Sequence, residues 1–156
     1  MKWLLLLAMA AGACDTDWPD ASRGDALGPE APGVEQGPLH RPGQPCLWCH
    51  GGPAARAPLF TVAGTIYRGA SDPVGVEGAE LRITDDDGQT LTLVSNAAGN
   101  LYVHADLQFP LRVTVLLGGV EKPMRSVIGR DGSCAGCHLD PPGAATVGRV
   151  FVEDPS

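Results

Sequence analysis

The clearest pattern in the chain is an alternation of period two. Phe60, Val62, Gly64 and Ile66 alternate with Thr61, Ala63, Thr65 and Tyr67, as expected for a β-strand buried on one face. Shorter runs of strand-forming residues follow at 79–85, 90–95, 101–104, 111–117 and 147–152. Turn-forming clusters separate them, among them Asp85-Asp86-Asp87-Gly88 and Asn96-Ala97-Ala98-Gly99-Asn100, whose side chains and glycines favour tight reversals. No segment has a convincing period of 3.6. The pattern predicts a mostly β protein, a small antiparallel sandwich over residues 59–152.

Upstream of residue 59 the pattern is different. The chain begins MKWLLLLAMAAGAC: one lysine, an apolar run too short to span a bilayer, then small residues before Cys14. Residues 1–13 read as an export signal. Ala11-Gly12-Ala13 followed by Cys14 resembles the bacterial lipoprotein signal, although Ala11 replaces the usual leucine. That resemblance implies an acylated Cys14 and a membrane anchor, with ordinary signal-peptidase cleavage as the alternative. Asp15 resembles an inner-membrane retention signal of some bacteria. The expected location is the periplasm or cell surface.

Residues 15–38 hold six acidic side chains and one basic, interspersed with Pro, Gly and Ala. Such a stretch has too little to bury to order itself, so 14–39 is expected to be the anchor site and a disordered acidic linker. Residues 40–153 are then the folded domain. A net charge of -7 argues against a nucleic-acid partner, which would need clustered Lys and Arg. A high load of glycine and proline, 21 and 14 residues, fits a turn-rich β domain better than a bundle.

Within the β region, Gly78-Ala79-Glu80-Leu81-Arg82-Ile83, the turn Asp85 to Gly88 and the run Asn96 to Tyr102 resemble the carboxypeptidase-regulatory-like, or transthyretin-like, β-sandwich family. The likeness covers roughly residues 60–117. It implies an immunoglobulin- or transthyretin-like fold and says little about chemistry.

The chemistry lies in two other stretches. Cys46-Leu47-Trp48-Cys49-His50 and Cys134-Ala135-Gly136-Cys137-His138 repeat one spacing. CxxCH is the attachment signal for c-type haem, and the pair resembles a dihaem c-type cytochrome. That resemblance implies two haem c groups on loops of the sandwich, with Cys46, Cys49, Cys134 and Cys137 as thioethers, and His50 and His138 as proximal iron ligands. Trp48 is expected to pack on the first haem. A tetrahedral zinc site, or disulfides within each motif or between the two, could use the cysteines, but each leaves both histidines unexplained. A thioredoxin-like pair would need a βαβ context that is missing.

Distal iron ligands can be narrowed by inventory. Outside the signal and the motifs the chain holds one methionine, Met124, and two histidines, His40 and His104. All three are candidates. Arg56, Arg68, Arg112 and Arg125 could meet haem propionates, with nothing to choose among them. The expected function is single-electron transfer between redox partner proteins. Two alternatives stand beside it: a peroxidase or small-molecule reductase at an open iron, and a surface binding module.

Overall fold

The computed structural model describes residues 21–30, 32–52, 55–139 and 147–152. The expected signal at 1–13 and the Cys14 anchor lie outside the described residues. Among the described residues the strands are β1 (Val62–Tyr67), β2 (Glu80–Thr84), β3 (Thr90–Val94), β4 (Asn100–Val103), β5 (Arg112–Leu117), β6 (Val120–Pro123), β7 (Gly132–Ser133) and β8 (Val150–Phe151). They form two sheets. One has the order β3-β2-β5-β6 and is antiparallel throughout. The other is built on β1, which pairs antiparallel with β4 and parallel with the two short strands β7 and β8. The protein is thus mostly β, a small sandwich dominated by antiparallel pairs.

The core lies between the sheets. Val62, Ile66 and Leu101 come from the β1 sheet, and Leu81, Ile83 and Val115 from the other. Strand alternation puts these residues on the inner faces. Ile83 is fully enclosed, at 0% exposure. Ile83→Ala is expected to cost about 2–5 kcal/mol, read as a lower urea midpoint at an unchanged slope.

Two turns set the register. Asp85, 3% exposed, accepts hydrogen bonds from the amides of Gln89 and Gln108, at 2.8 and 3.1 Å, and so ties the β2–β3 turn to the segment leading into β5. The β5–β6 hairpin turns at Gly118 and Gly119, with φ of 58° and 84°. Both values are left-handed, as a two-residue type I′ turn requires.

The structure departs from the pattern in that β7 and β8 pair parallel with β1 where an antiparallel sandwich was expected, in that the strand expected over 147–152 is only Val150–Phe151, and in two further respects. β6 and β7 were not anticipated, because each is short and neither alternates. β1 was expected to be half-buried, yet all six of its residues are buried. Its second face, carrying Ala63, Thr65 and Tyr67, is covered by the chain before β1: the Gly43 amide donates to Thr65 Oγ1 at 2.7 Å.

Candidate cofactor site

Each CxxCH motif folds as a single helical turn. α2 (Leu47–His50) follows Cys46, and α3 (Cys134–Cys137) precedes His138. The same backbone bond closes both: His50 N–H donates to the Cys46 carbonyl at 2.9 Å, and His138 N–H to the Cys134 carbonyl at 2.8 Å. In a helical turn, positions i, i+3 and i+4 share one face. In the first motif the spacing gathers two thiols and an imidazole on one side and sends the intervening pair elsewhere; in the second, Cys134 and His138 border a cavity together with Ala135, whereas Cys137 is exposed and does not border it. In the first motif Cys46, Cys49 and His50 border a cavity of about 1030 Å³, and neither Leu47 nor Trp48 does. Leu47 is buried and Trp48 half-buried.

The two histidines are oriented alike. His50 Nδ1–H donates to the Pro58 carbonyl at 2.8 Å, with the Arg56 carbonyl at 3.2 Å. His138 Nδ1–H donates to the Gly148 carbonyl at 2.9 Å. A carbonyl on Nδ1 fixes the tautomer that leaves Nε2 as an unprotonated donor, as is usual for metal-bound histidine. His50 also packs on Phe60, which stacks on Tyr102, with centroid separations of 4.8 and 4.6 Å.

The second motif is fitted into the sheet. β7 pairs with Val62 and Ala63 at the start of β1, and β8 with Ile66 and Tyr67 at its end. The chain between them carries α3, so Cys134 comes against Gly64. A Cβ on Gly64 would lie 2.5 Å from Cys134 Cβ and 2.6 Å from its Sγ. A smaller cavity, about 180 Å³, is bordered by Gln44, Thr65, Tyr67, Cys134, His138 and Arg149. Gln44 borders both cavities, so the two motifs lie on either side of one short segment.

The wall of the large cavity includes part of the segment expected to be a linker. α1 (Ala21–Ala26), residues 27–30 and residues 36–38 contribute to it. Two ion pairs tie this stretch to the domain: Asp25 with Arg56 at 2.7 Å, and Glu30 with Arg41 at 2.8 Å. Two acidic residues of the expected linker, Asp25 and Glu30, thus have cationic partners in the domain. Gly24 lets α1 approach α2 closely, since a Cβ there would lie 2.5 Å from Cys49 Sγ.

All four cysteines are free thiols. Burial pushes the Cys46 thiol up to about 11, against a lowering backbone hydrogen bond and with a further push from Cys49. Burial likewise pushes Cys134 up to about 12, aided by the charge of Cys46 across the segment between the motifs. Both are protonated at neutral pH. An activated dithiol has the opposite shift, toward a stable thiolate.

Among the described residues no three His, Cys, Asp or Glu side chains gather into a group that could hold a metal ion. The four thiols therefore do not supply the convergent set that tetrahedral zinc needs. An iron macrocycle asks for less from each motif: two thiols, one Nε2 donor and space. The large cavity meets the last demand for the first motif, since cofactor-sized pockets run from about 300 to 1,000 Å³; the cavity beside Cys134 and His138, about 180 Å³, is smaller than that range.

The candidate distal ligands are far apart in the fold. His40 borders the large cavity, and its ring centroid lies 5.9 Å from that of His50. Met124 follows β6 at the edge of the other sheet, half-buried, its amide donating to the Val113 carbonyl at 3.0 Å. His104 is exposed just after β4. Neither Met124 nor His104 borders either cavity. Of the arginines, Arg56 borders the large cavity; Arg41 and Arg149, not singled out by the sequence, border the large and the small cavity respectively. Family models, curated proteins and solved structures were compared with the chain, and none matches.

Proposed function

We propose that this chain is an exported c-type cytochrome that carries two covalently bound haems and passes single electrons between redox partner proteins. We propose further that it is held at a membrane through lipid on Cys14. The observation that carries the reading is the equivalence of the two motifs: in each, one helical turn puts two thiols beside a histidine whose Nδ1 is committed to a carbonyl. Only haem attachment uses both cysteines and the histidine of that repeated spacing.

Cys46 and Cys49 would hold one haem, and Cys134 and Cys137 the other. Each thiol would add across a vinyl group, its sulfur bonding to one carbon and its proton passing to the other, with no oxidant consumed. His50 and His138 would ligate the irons through Nε2. The bound groups supply a one-electron couple, and the chain supplies ligation, burial and spacing. The carbonyls of Pro58 and Gly148 would keep each imidazole in its ligating tautomer.

Production in a host able to mature c-type haem, followed by intact mass and a denatured-haem spectrum, tests this. Two haems per chain are expected. The pair C46S/C49S and the pair C134S/C137S are each expected to remove one. A colourless chain of unmodified mass would overturn the reading, as would one zinc per chain.

A further inference from the structure

His40 lies far from His50 in chemical terms until the fold is considered. The ring centroids are 5.9 Å apart, with planes inclined at 58°. Two imidazoles on opposite sides of one metal, each with a metal–nitrogen bond of about 2 Å, place their centroids about 6 Å apart. Both rings border the same cavity, which Cys46 and Cys49 also border.

The orientation of His40 follows the rule of the motif histidines. Its Nδ1 faces the Gly37 peptide, in contact with the carbonyl and 3.4 Å from the amide nitrogen; paired with the carbonyl it donates, and that tautomer leaves Nε2 available as a donor to a metal. The backbone that carries it is held by buried side chains of the β1 sheet. Asn100, 6% exposed, donates through Nδ2 to the His40 carbonyl at 3.0 Å and to the Pro38 carbonyl at 3.3 Å. Thr65, 5% exposed, donates to Asn100 Oδ1 at 2.7 Å and accepts from the Gly43 amide at 2.7 Å. Asn96 Nδ2 donates to the Pro38 carbonyl at 2.7 Å. The loop from Pro38 to Gly43 is therefore fastened at both ends by the sheet.

Next to His40 is a strained residue. Arg41 has φ of 50°, in the left-handed region that costs a non-glycine residue roughly 1 kcal/mol or more. Its guanidinium is bound to Glu30 and Gln44, each at 2.8 Å, and to the Gly28 carbonyl. Strain held in place by so many partners is a mark of functional geometry.

We propose that His40 is the second axial ligand of the iron held at His50, and that Asn100 is the residue that positions it. The proposal rests on the haem reading given above. It makes the first haem six-coordinate and closes its far side to added ligands. A second nitrogen donor also sets its potential below that of a histidine–methionine pair.

The test compares the full-length haem-loaded protein with His40→Ala. The variant is expected to keep two haems by mass and to gain one high-spin, carbon-monoxide-binding haem per chain. Added imidazole should return that haem to low spin. Asn100→Asp, which keeps the acceptor for Thr65 but loses the Nδ2 donors, is expected to produce the same change in part. If H40A is too unstable to purify, His40→Met keeps a ligand and is expected to stay low-spin with a higher potential at one haem. Two haems with an unchanged number of high-spin sites in H40A, or an unshifted potential in H40M, would overturn the proposal and leave the haem reading intact. Wild-type protein without haem would overturn both.

Discussion

Between pH 9 and about 12, polypeptide produced without haem attachment is expected to lose stability that the haem-loaded protein keeps. The thiols of Cys46 and Cys134 rise from an ordinary 9.0 to about 11 and about 12, principally through burial. A thiol is neutral when protonated, so the folded state favours the protonated form. Below pH 9 folded and unfolded chains both hold the proton, and the full stability is present. Above it the unfolded chain releases protons that the folded chain retains, and stability falls by up to about 1.4 kcal/mol per pH unit for each thiol. The loss from Cys46 is complete near pH 11 and that from Cys134 near pH 12. Several kcal/mol is comparable to the stability of a whole domain, about 5–15 kcal/mol.

A thioether has no proton to lose, so haem attachment removes both losses together. Urea unfolding at a series of pH values, under reductant for the haem-free chain, measures the difference. The double variant C46S/C134S without haem is expected to lose the steep alkaline fall. Parallel pH profiles for the haem-free and haem-loaded chains would mean that these sulfurs are ionisable in both, and the attachment assignment would fail.

The sheet strands were legible where alternation was backed by turn chemistry. β2, β3 and β5 come within a residue or so of the expected runs, because Leu81, Ile83, Leu91, Leu93 and Val115 recur at every second position between Asp- and Gly-rich turns. β6 gave no such signal, since Glu121, Lys122 and Pro123 are exposed on an edge. Gly118-Gly119 could have revealed it: a two-glycine loop flanked by Leu117 and Val120 is a hairpin signature. β7 has only Gly132 and Ser133, too short for any period.

Of the site, the motifs were legible because their chemistry is local: five consecutive residues make one helical turn. The opposing position of His40 was not. It depends on Asn100, sixty residues away, and on Thr65 of β1. In sequence these read as the end of a turn and a polar strand position, and only the folded sheet gives them a common target. The acidic residues Asp25 and Glu30 present the same difficulty, because Arg56 and Arg41 become their partners only after the cavity wall has formed.

Gly64→Ala is expected to disable the second motif while sparing the first. Gly64 does not have a positive φ, so alanine carries no backbone penalty of that kind and the effect is one of contact alone. The added methyl would stand 2.5 Å from Cys134 Cβ and 3.8 Å from Cys134 Cα. It meets the root of a side chain on a short helix, so rotation of a flexible end cannot relieve it. α3 has to move away from β1. Overpacking of this kind costs about 1–3 kcal/mol, and the movement takes Cys134 and His138 out of register with the Gly148 carbonyl that orients the imidazole. Intact mass should then show chains with one haem in place of two, the missing group mapping to the peptide that contains Cys134. Unfolding of the haem-free variant should be easier by the same 1–3 kcal/mol. The first motif, whose preceding loop meets the sheet through the Gly43 amide and Thr65, should keep its haem. Full loading of both motifs at unchanged stability would show that α3 does not seat against β1 through this glycine.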